Sequence, residues 1–204
     1  FFNPLVDNYE ITDKFIAGNV ISKAEMIEEY VRKHPDNEAA KESLAALRAA
    51  APRPIPFEDL DFNFGERWIS AGIYSKYASY LFGTDVKVTY AASRDEFSVN
   101  TSQRLGNMRI REQFAVKAES RTYDGISLMK HAIQNTSPDI TKKVQVGDEV
   151  KKIRDTEAIQ LANSKIDEIR NSFSDWLREQ SPEFKQRLTD QYNRKFNNSV
   201  KPKY

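Results

Sequence analysis

Four carboxylates crowd one short stretch: Glu58, Asp59, Asp61 and Glu66. A nuclease uses such a cluster to hold two magnesium ions, which polarise a phosphoryl oxygen and activate water. That chemistry requires Asp59, Asp61 and Glu66 to converge on a cation. The same side chains also serve as helix caps and dipole partners, and they follow Pro52, Pro54 and Pro56 instead of standing on a strand. The two histidines, His34 and His131, are far apart and have no partner at ligand spacing. Each reads as a surface or satisfied histidine, and no metal ligand set and no cofactor is assigned. With no cysteine in the chain, thiol nucleophiles, thiolate metal sites and disulfides are excluded, and a reducing cytoplasm is the compatible compartment. Neither a G-x-x-x-x-G-K-[ST] loop nor a G-x-S-x-G elbow occurs.

Basic side chains gather toward the C-terminal half. Lys142, Lys143, Lys151, Lys152 and Arg154 crowd one predicted hairpin, and Arg104, Arg109 and Arg111 lie in or after a polar loop. These eight are the candidate nucleic-acid-binding residues: cations neutralise phosphates and neighbouring aromatics stack on bases. The competing reading is a solvated sheet edge whose lysines block edge-to-edge pairing. Thirty-one basic against thirty acidic residues give a net charge of +1. That balance excludes a histone-like polyanion binder but not a local patch, and it suits a protein–protein scaffold that touches no DNA.

The elements that must position these residues form one well-buried α+β domain with a helical appendage, which 204 residues can support. Asn3-Pro4-Leu5-Val6 approaches the N-P-P-[YF] motif of adenine methyltransferases but lacks the second proline, and reads as a Pro-containing lead-in. Residues 11–34 are predicted helical, with Ser22 and Glu25 as a capping box. After Pro35-Asp36-Asn37, Asn37 caps a second helix through Ala50 with Leu44 and Leu47 as its apolar stripe, which makes a helical hairpin. The three prolines then force an extended linker. The predicted division is therefore 1–53, a helical N-terminal segment, and 54–204, an α+β accessory domain.

Past the linker, Ile55 to Phe82 is dense in aromatic residues and organises the rest. Ser70 is the predicted N-cap of a helix with Ile73, Tyr77, Tyr80 and Leu81 on one face, ending at Gly83. Val86, Val88 and Tyr90 alternate as a strand, Phe97 and Val99 as a second, and Phe114 to Val116 suggests a third. Asp124 caps a helix that Asn135 to Pro138 stops. Lys142 to Ile153 is a hairpin for which a three-residue loop, pairing Val146 with Val150, keeps apolar side chains together. Ala162, Ile166, Ile169, Phe173 and Trp176 then recur in steps of four and three, marking the longest helix. Ser181-Pro182-Glu183 opens the last, with Phe184, Leu188, Tyr192 and Phe196 on its face. These long C-terminal helices are expected to pack on the aromatic helix. Trp68 is assigned as a structural anchor with its indole N–H on a backbone carbonyl, so that Trp68→Ala costs ~3–5 kcal/mol.

The segment D-L-D-F-N-F-G-E-R-W-I (Asp59 to Ile69) resembles the region just upstream of the helicase core in very large proteins of bacterial mobile elements and phages. Those proteins fuse an adenine-specific DNA methyltransferase to a superfamily-two, Swi/Snf-like helicase. Three further segments agree in the same order: F-I-A-G-N-V-I-S-K (Phe15 to Lys23), R-D-T-E-A-I-Q-L-A-N-S-K-I-D-E-I (Arg154 to Ile169) and Y-N-R-K-F-N-N-S-V (Tyr192 to Val200). Ser70 departs from the proline common after Trp-Ile. None of the catalytic motifs for methyl transfer or ATP hydrolysis matches any residue here. The resemblance therefore implies a non-catalytic accessory domain in the bacterial cytoplasm, with DNA and the neighbouring methyltransferase and helicase domains as partners. The opening Phe1 and the residues Ser199 to Tyr204, which carry no helix stop, fit a piece of a longer polypeptide. No apolar run approaches the ~20 residues that span a bilayer, so no membrane partner is expected.

Overall fold

Five helices begin where a short polar side chain accepts a hydrogen bond from a backbone N–H three residues on: Asn19 from Ser22, Asn37 from Ala40, Asp124 from Ser127, Asp155 from Ala158 and Ser181 from Phe184. The computed structural model describes residues 1–201. In chain order these are β1 (Phe2–Asn3), β2 (Asn8–Tyr9), α1 (Thr12–Phe15), β3 (Gly18–Asn19), α2 (Val20–Lys33), α3 (Glu38–Ala50), α4 (Ala71–Phe82), β4 (Lys87–Ala91), β5 (Glu96–Asn100), β6 (Val116–Lys117), β7 (Thr122–Tyr123), α5 (Gly125–Gln134), β8 (Thr141–Val146), β9 (Glu149–Arg154), α6 (Thr156–Arg178), α7 (Pro182–Phe196) and β10 (Ser199–Val200). Single turns of 3-10 and π helix occupy Phe57–Asp59 and Arg109–Gln113. All strands pair antiparallel in two-stranded sheets, so the fold class is α+β as expected. No helix among the described residues is long and apolar enough to cross a membrane.

The chain forms two compact units: Phe1–Leu60 with Ser181–Tyr204, and Asp61–Gln180. The sequence places a single boundary at 53/54; the chain instead leaves the first unit after Leu60 and returns to it at Ser181. Residues 202–204, the end of the predicted 54–204 domain, lie outside the described residues.

In the first unit, α2 and α3 form the expected hairpin around Phe15, Val20, Ile27, Leu44 and Leu47. The helix predicted over 11–34 is broken at Gly18, where φ is +76°, and Asn19 takes the capping role assigned to Ser22. The extended 52–56 stretch is held by α7. Asn193, 8% exposed, accepts from the Ile55 N–H (2.8 Å) and donates to the Ile55 carbonyl (2.9 Å), while Asn197 donates to the Arg53 carbonyl (2.7 Å). This demand for backbone partners explains why the inward face of α7 is Leu188, Thr189 and Asn193, with Phe196 left exposed. β10 closes the unit by pairing with β3.

The second unit is built on the contact between α4 and α6. The α4 face is Tyr74, Tyr77, Ala78 and Phe82; Tyr80, predicted on it, is exposed. The periodic stripe of α6 is buried throughout, from Ala162 to Trp176. Phe173 lies 5.2–5.4 Å from the rings of Tyr77, Tyr74 and Phe64, and the Tyr77 hydroxyl donates to the Ile169 carbonyl (2.5 Å). Gly65 is required beside this cluster: at φ +98°, an added Cβ would stand 2.2 Å from the Ile133 carbonyl oxygen. β4 and β5 pair as read from the alternation, whereas Phe114 caps the π turn and the short third strand starts at Val116.

Trp68 differs from expectation. It is half-buried, packs 5.8 Å from Phe62, and donates its indole N–H to the Glu66 carboxylate (3.2 Å), not to a carbonyl. Phe64, Tyr74, Tyr77 and Phe173, each at most 2% exposed, are the anchors. Phe173→Ala is expected to cost ~3–5 kcal/mol and Trp68→Ala distinctly less, because truncating a half-exposed ring empties less packed volume. Urea unfolding of both variants checks the order. In the first unit, Asn193→Ala should cost ~1–3 kcal/mol by leaving both Ile55 backbone groups without their partner, seen as a lower unfolding midpoint and faster hydrogen exchange at Ile55.

Candidate nucleic-acid interface

The eight cations assembled from sequence separate into two sets. Arg104, Arg109 and Arg111 hold the 103–107 loop. Arg104 forms a fork on Asp124 (Nε to Oδ2 2.6 Å, Nη2 to Oδ1 2.9 Å) and also donates to Ser127 Oγ. Arg109 donates to the Leu81 carbonyl in the last turn of α4, where Asn107 caps Phe82. Arg111 donates to the Leu105 carbonyl. Helix ends and loops leave carbonyls in need of donors, and guanidinium forks supply several at once.

The other five stand on the β8–β9 ribbon. Its pairs are Thr141↔Arg154, Lys142↔Ile153, Lys143↔Lys152, Val144↔Lys151, Gln145↔Val150 and Val146↔Glu149. The predicted Val146–Val150 pairing is therefore wrong by one residue. A hydrophobic pattern sets register only where one face is buried, and here every β9 residue is exposed. The turn decides instead: Gly147 at φ +62° takes the first position of a two-residue turn.

Directly opposite residues share a face. Lys142 and Lys151 thus project on one side with Val144, Val146, Glu149 and Ile153; Lys143, Lys152 and Arg154 project on the other. Among the described residues none of the five makes an ion pair. At the root, Glu119 accepts from the Lys143 backbone N–H (2.7 Å) and lines a recess of ≈ 230 Å³ with Ser120, Thr141, Lys142, Lys143 and Lys152. The ribbon rises from firm ground, between buried Ile140 and the α6 cap Asp155, whose N–H donates to the Ile140 carbonyl (2.8 Å).

A family model described as Domain of unknown function (DUF8437) matches residues 63–198. The chain belongs to this family. The DUF8437 match takes in the ribbon, α4, α6 and α7, and with α7 it reaches into the first unit. No curated protein and no solved structure matches the chain.

The carboxylate cluster does not form a metal site: no three His, Asp or Glu side chains are placed to hold an ion among the described residues. Glu66 instead accepts from the Asn63 N–H and from Trp68. His34 contacts the Tyr30 carbonyl and stacks on its ring at 4.2 Å, and His131 contacts Thr136 Oγ1 (2.8 Å). Burial, with Lys130 and Arg121 nearby, pushes His131 below its ordinary value.

Sequence reasoning overlooked one polar group in the DUF8437 region. Asp95 accepts from the Arg67 Nε (2.8 Å) and the Tyr90 hydroxyl (2.5 Å), and both hold its carboxyl below the usual range. Arg67 also lies over the Phe97 ring at 5.0 Å. The available signal was Ser93-Arg94-Asp95 at a turn, with Asp95 at φ +48°.

Burial alone would raise the Asp124 carboxyl, but the Arg104 guanidinium and the Ser127 N–H outweigh it and hold the group below its ordinary value. A depressed folded value means stability that is complete above the unfolded value of about 3.9 and is lost as pH falls through the folded one. Arg104→Ala should therefore be less stable than wild type near neutrality, and the gap should close on acidification below about pH 4. Urea unfolding across the acid range measures it.

Proposed function

We propose that the chain is an accessory domain that holds nucleic acid through the β8–β9 ribbon and carries no reaction of its own. The observation that carries this reading is the directly opposite pair Lys143↔Lys152. Like charges opposite one another destabilise a sheet, and no carboxylate here offsets them by an ion pair. A polyanion supplies the compensation the fold omits. Lys142, Lys151 and Arg154 add to the same field, and counterion release from phosphates would drive binding.

The resemblance in four ordered segments supports placing this domain between a DNA methyltransferase and a helicase in a bacterial cytoplasmic protein, where it would couple the two. The missing Walker-type loop and hydrolase elbow fit a partner of catalytic domains. A docking role with those neighbours has its own observation: Leu105 and Met108 are 81% and 68% exposed.

Filter binding of sheared DNA to the chain and to Lys143→Glu/Lys152→Glu tests the proposal. Binding that steepens at low salt and weakens about tenfold or more in the variant is expected. Equal affinity of the two proteins would sink the nucleic-acid role and leave docking through the Leu105–Met108 loop.

A further inference from the structure

We propose that the ribbon's partner is B-form duplex DNA, entered through the major groove; this rests on the nucleic-acid reading above and names its substrate. Three features select it. The first is the distribution of charge. Lys142 and Lys151 project on one face, Lys143, Lys152 and Arg154 on the other. A single strand lies along one track and meets cations on one side of a ribbon. Phosphates on both sides occur where the ribbon stands between two backbones, as in a groove.

The second feature is chemical. From Thr141 to Arg154 the ribbon contains no Phe, Tyr or Trp. Single-strand binders rely on aromatic side chains on which successive bases stack. Without them the ribbon can track phosphates but has no platform for an unpaired base.

The third is size and polarity. A two-stranded ribbon fits the B-form major groove, about 12 Å wide, whereas the A-form RNA major groove is too narrow for side chains to read. Four of the five cations stand on the three pairs nearest the root and Lys151 on the next, while the tip carries Asp148 and Glu149. Phosphate repels those acids. The root half therefore meets the backbones, and the tip stands over base edges, where the cytosine amino group is a donor a carboxylate can use.

Fluorescence anisotropy of the full 204-residue chain with three probes tests this: a DNA duplex, one of its strands alone, and an RNA duplex of the same sequence. Two variants remove one pair of cations from each face, Lys142→Gln/Lys151→Gln and Lys143→Gln/Lys152→Gln; melting temperatures no lower than wild type, expected because only uncompensated charges are removed, certify folding. The DNA duplex should bind about tenfold or more tighter than the other probes, and each variant should lower the slope of log affinity against log salt by about 2. Ribbon-dependent binding that favours the single strand or the RNA duplex, or a loss confined to one face's variant, overturns this proposal and leaves the nucleic-acid reading standing. Failure to bind any of the three probes overturns both.

Discussion

Everything in the second unit depends on one contact, the seating of Phe173 of α6 among Tyr74, Tyr77 and Phe64. Rings at these separations, mostly edge-on or tilted, bury large area and fix relative orientation as well as distance. The Tyr77 hydroxyl adds direction. Buried without a partner it would carry the full desolvation penalty of a polar group; its bond to the Ile169 carbonyl locks α4 along α6 at one height. Burial accordingly pushes both Tyr74 and Tyr77 well up, so neither phenol ionises in the working range. Ser75 and Ser79 extend the order outward, accepting the Val88 and Val86 N–H groups and tying β4 to the same helix.

The ribbon inherits its direction from this core without contributing to it. α6 begins at Asp155, whose side chain caps Ala158 and whose N–H is bound to Ile140. Ile140 and Ile159 are buried beside it. A rigid helix start therefore aims an otherwise solvated arm. An isolated two-stranded hairpin is marginal in water, so the root must supply what the exposed strands lack. This division suits a binding element, because surface charge can be set by the ligand while the core sets position.

The first unit solves a different problem, an extended proline-containing stretch with backbone groups to satisfy. Asn193 and Asn197 do this by presenting side-chain amides where a neighbouring strand would present peptide groups. A short polar residue inside a helix face is the signature. It conflicts with the apolar periodicity that marks α7, which is why periodicity alone selected Phe196, here left in solvent.

The sequence by itself determined what short-range physics controls. Caps at Asn37, Asp124 and Ser181 were legible because a side chain and an N–H three residues away settle them. The α6 stripe and the β4–β5 alternation were legible because one burial direction repeats along a regular element. The five ribbon cations were legible as a group, since a hairpin keeps sequence neighbours together. Tertiary structure alone decided the rest. It turned Arg109 to a carbonyl of α4, Arg104 to the capping carboxylate of α5 and Arg111 to the Leu105 carbonyl of its own loop, gave Trp68 a carboxylate partner, and returned α7 to the first unit. Each of these turns on which distant group needs a donor, an acceptor or cover. The ribbon register also stayed beyond pattern reading, because with no buried face to obey, the strands follow the Gly147 turn.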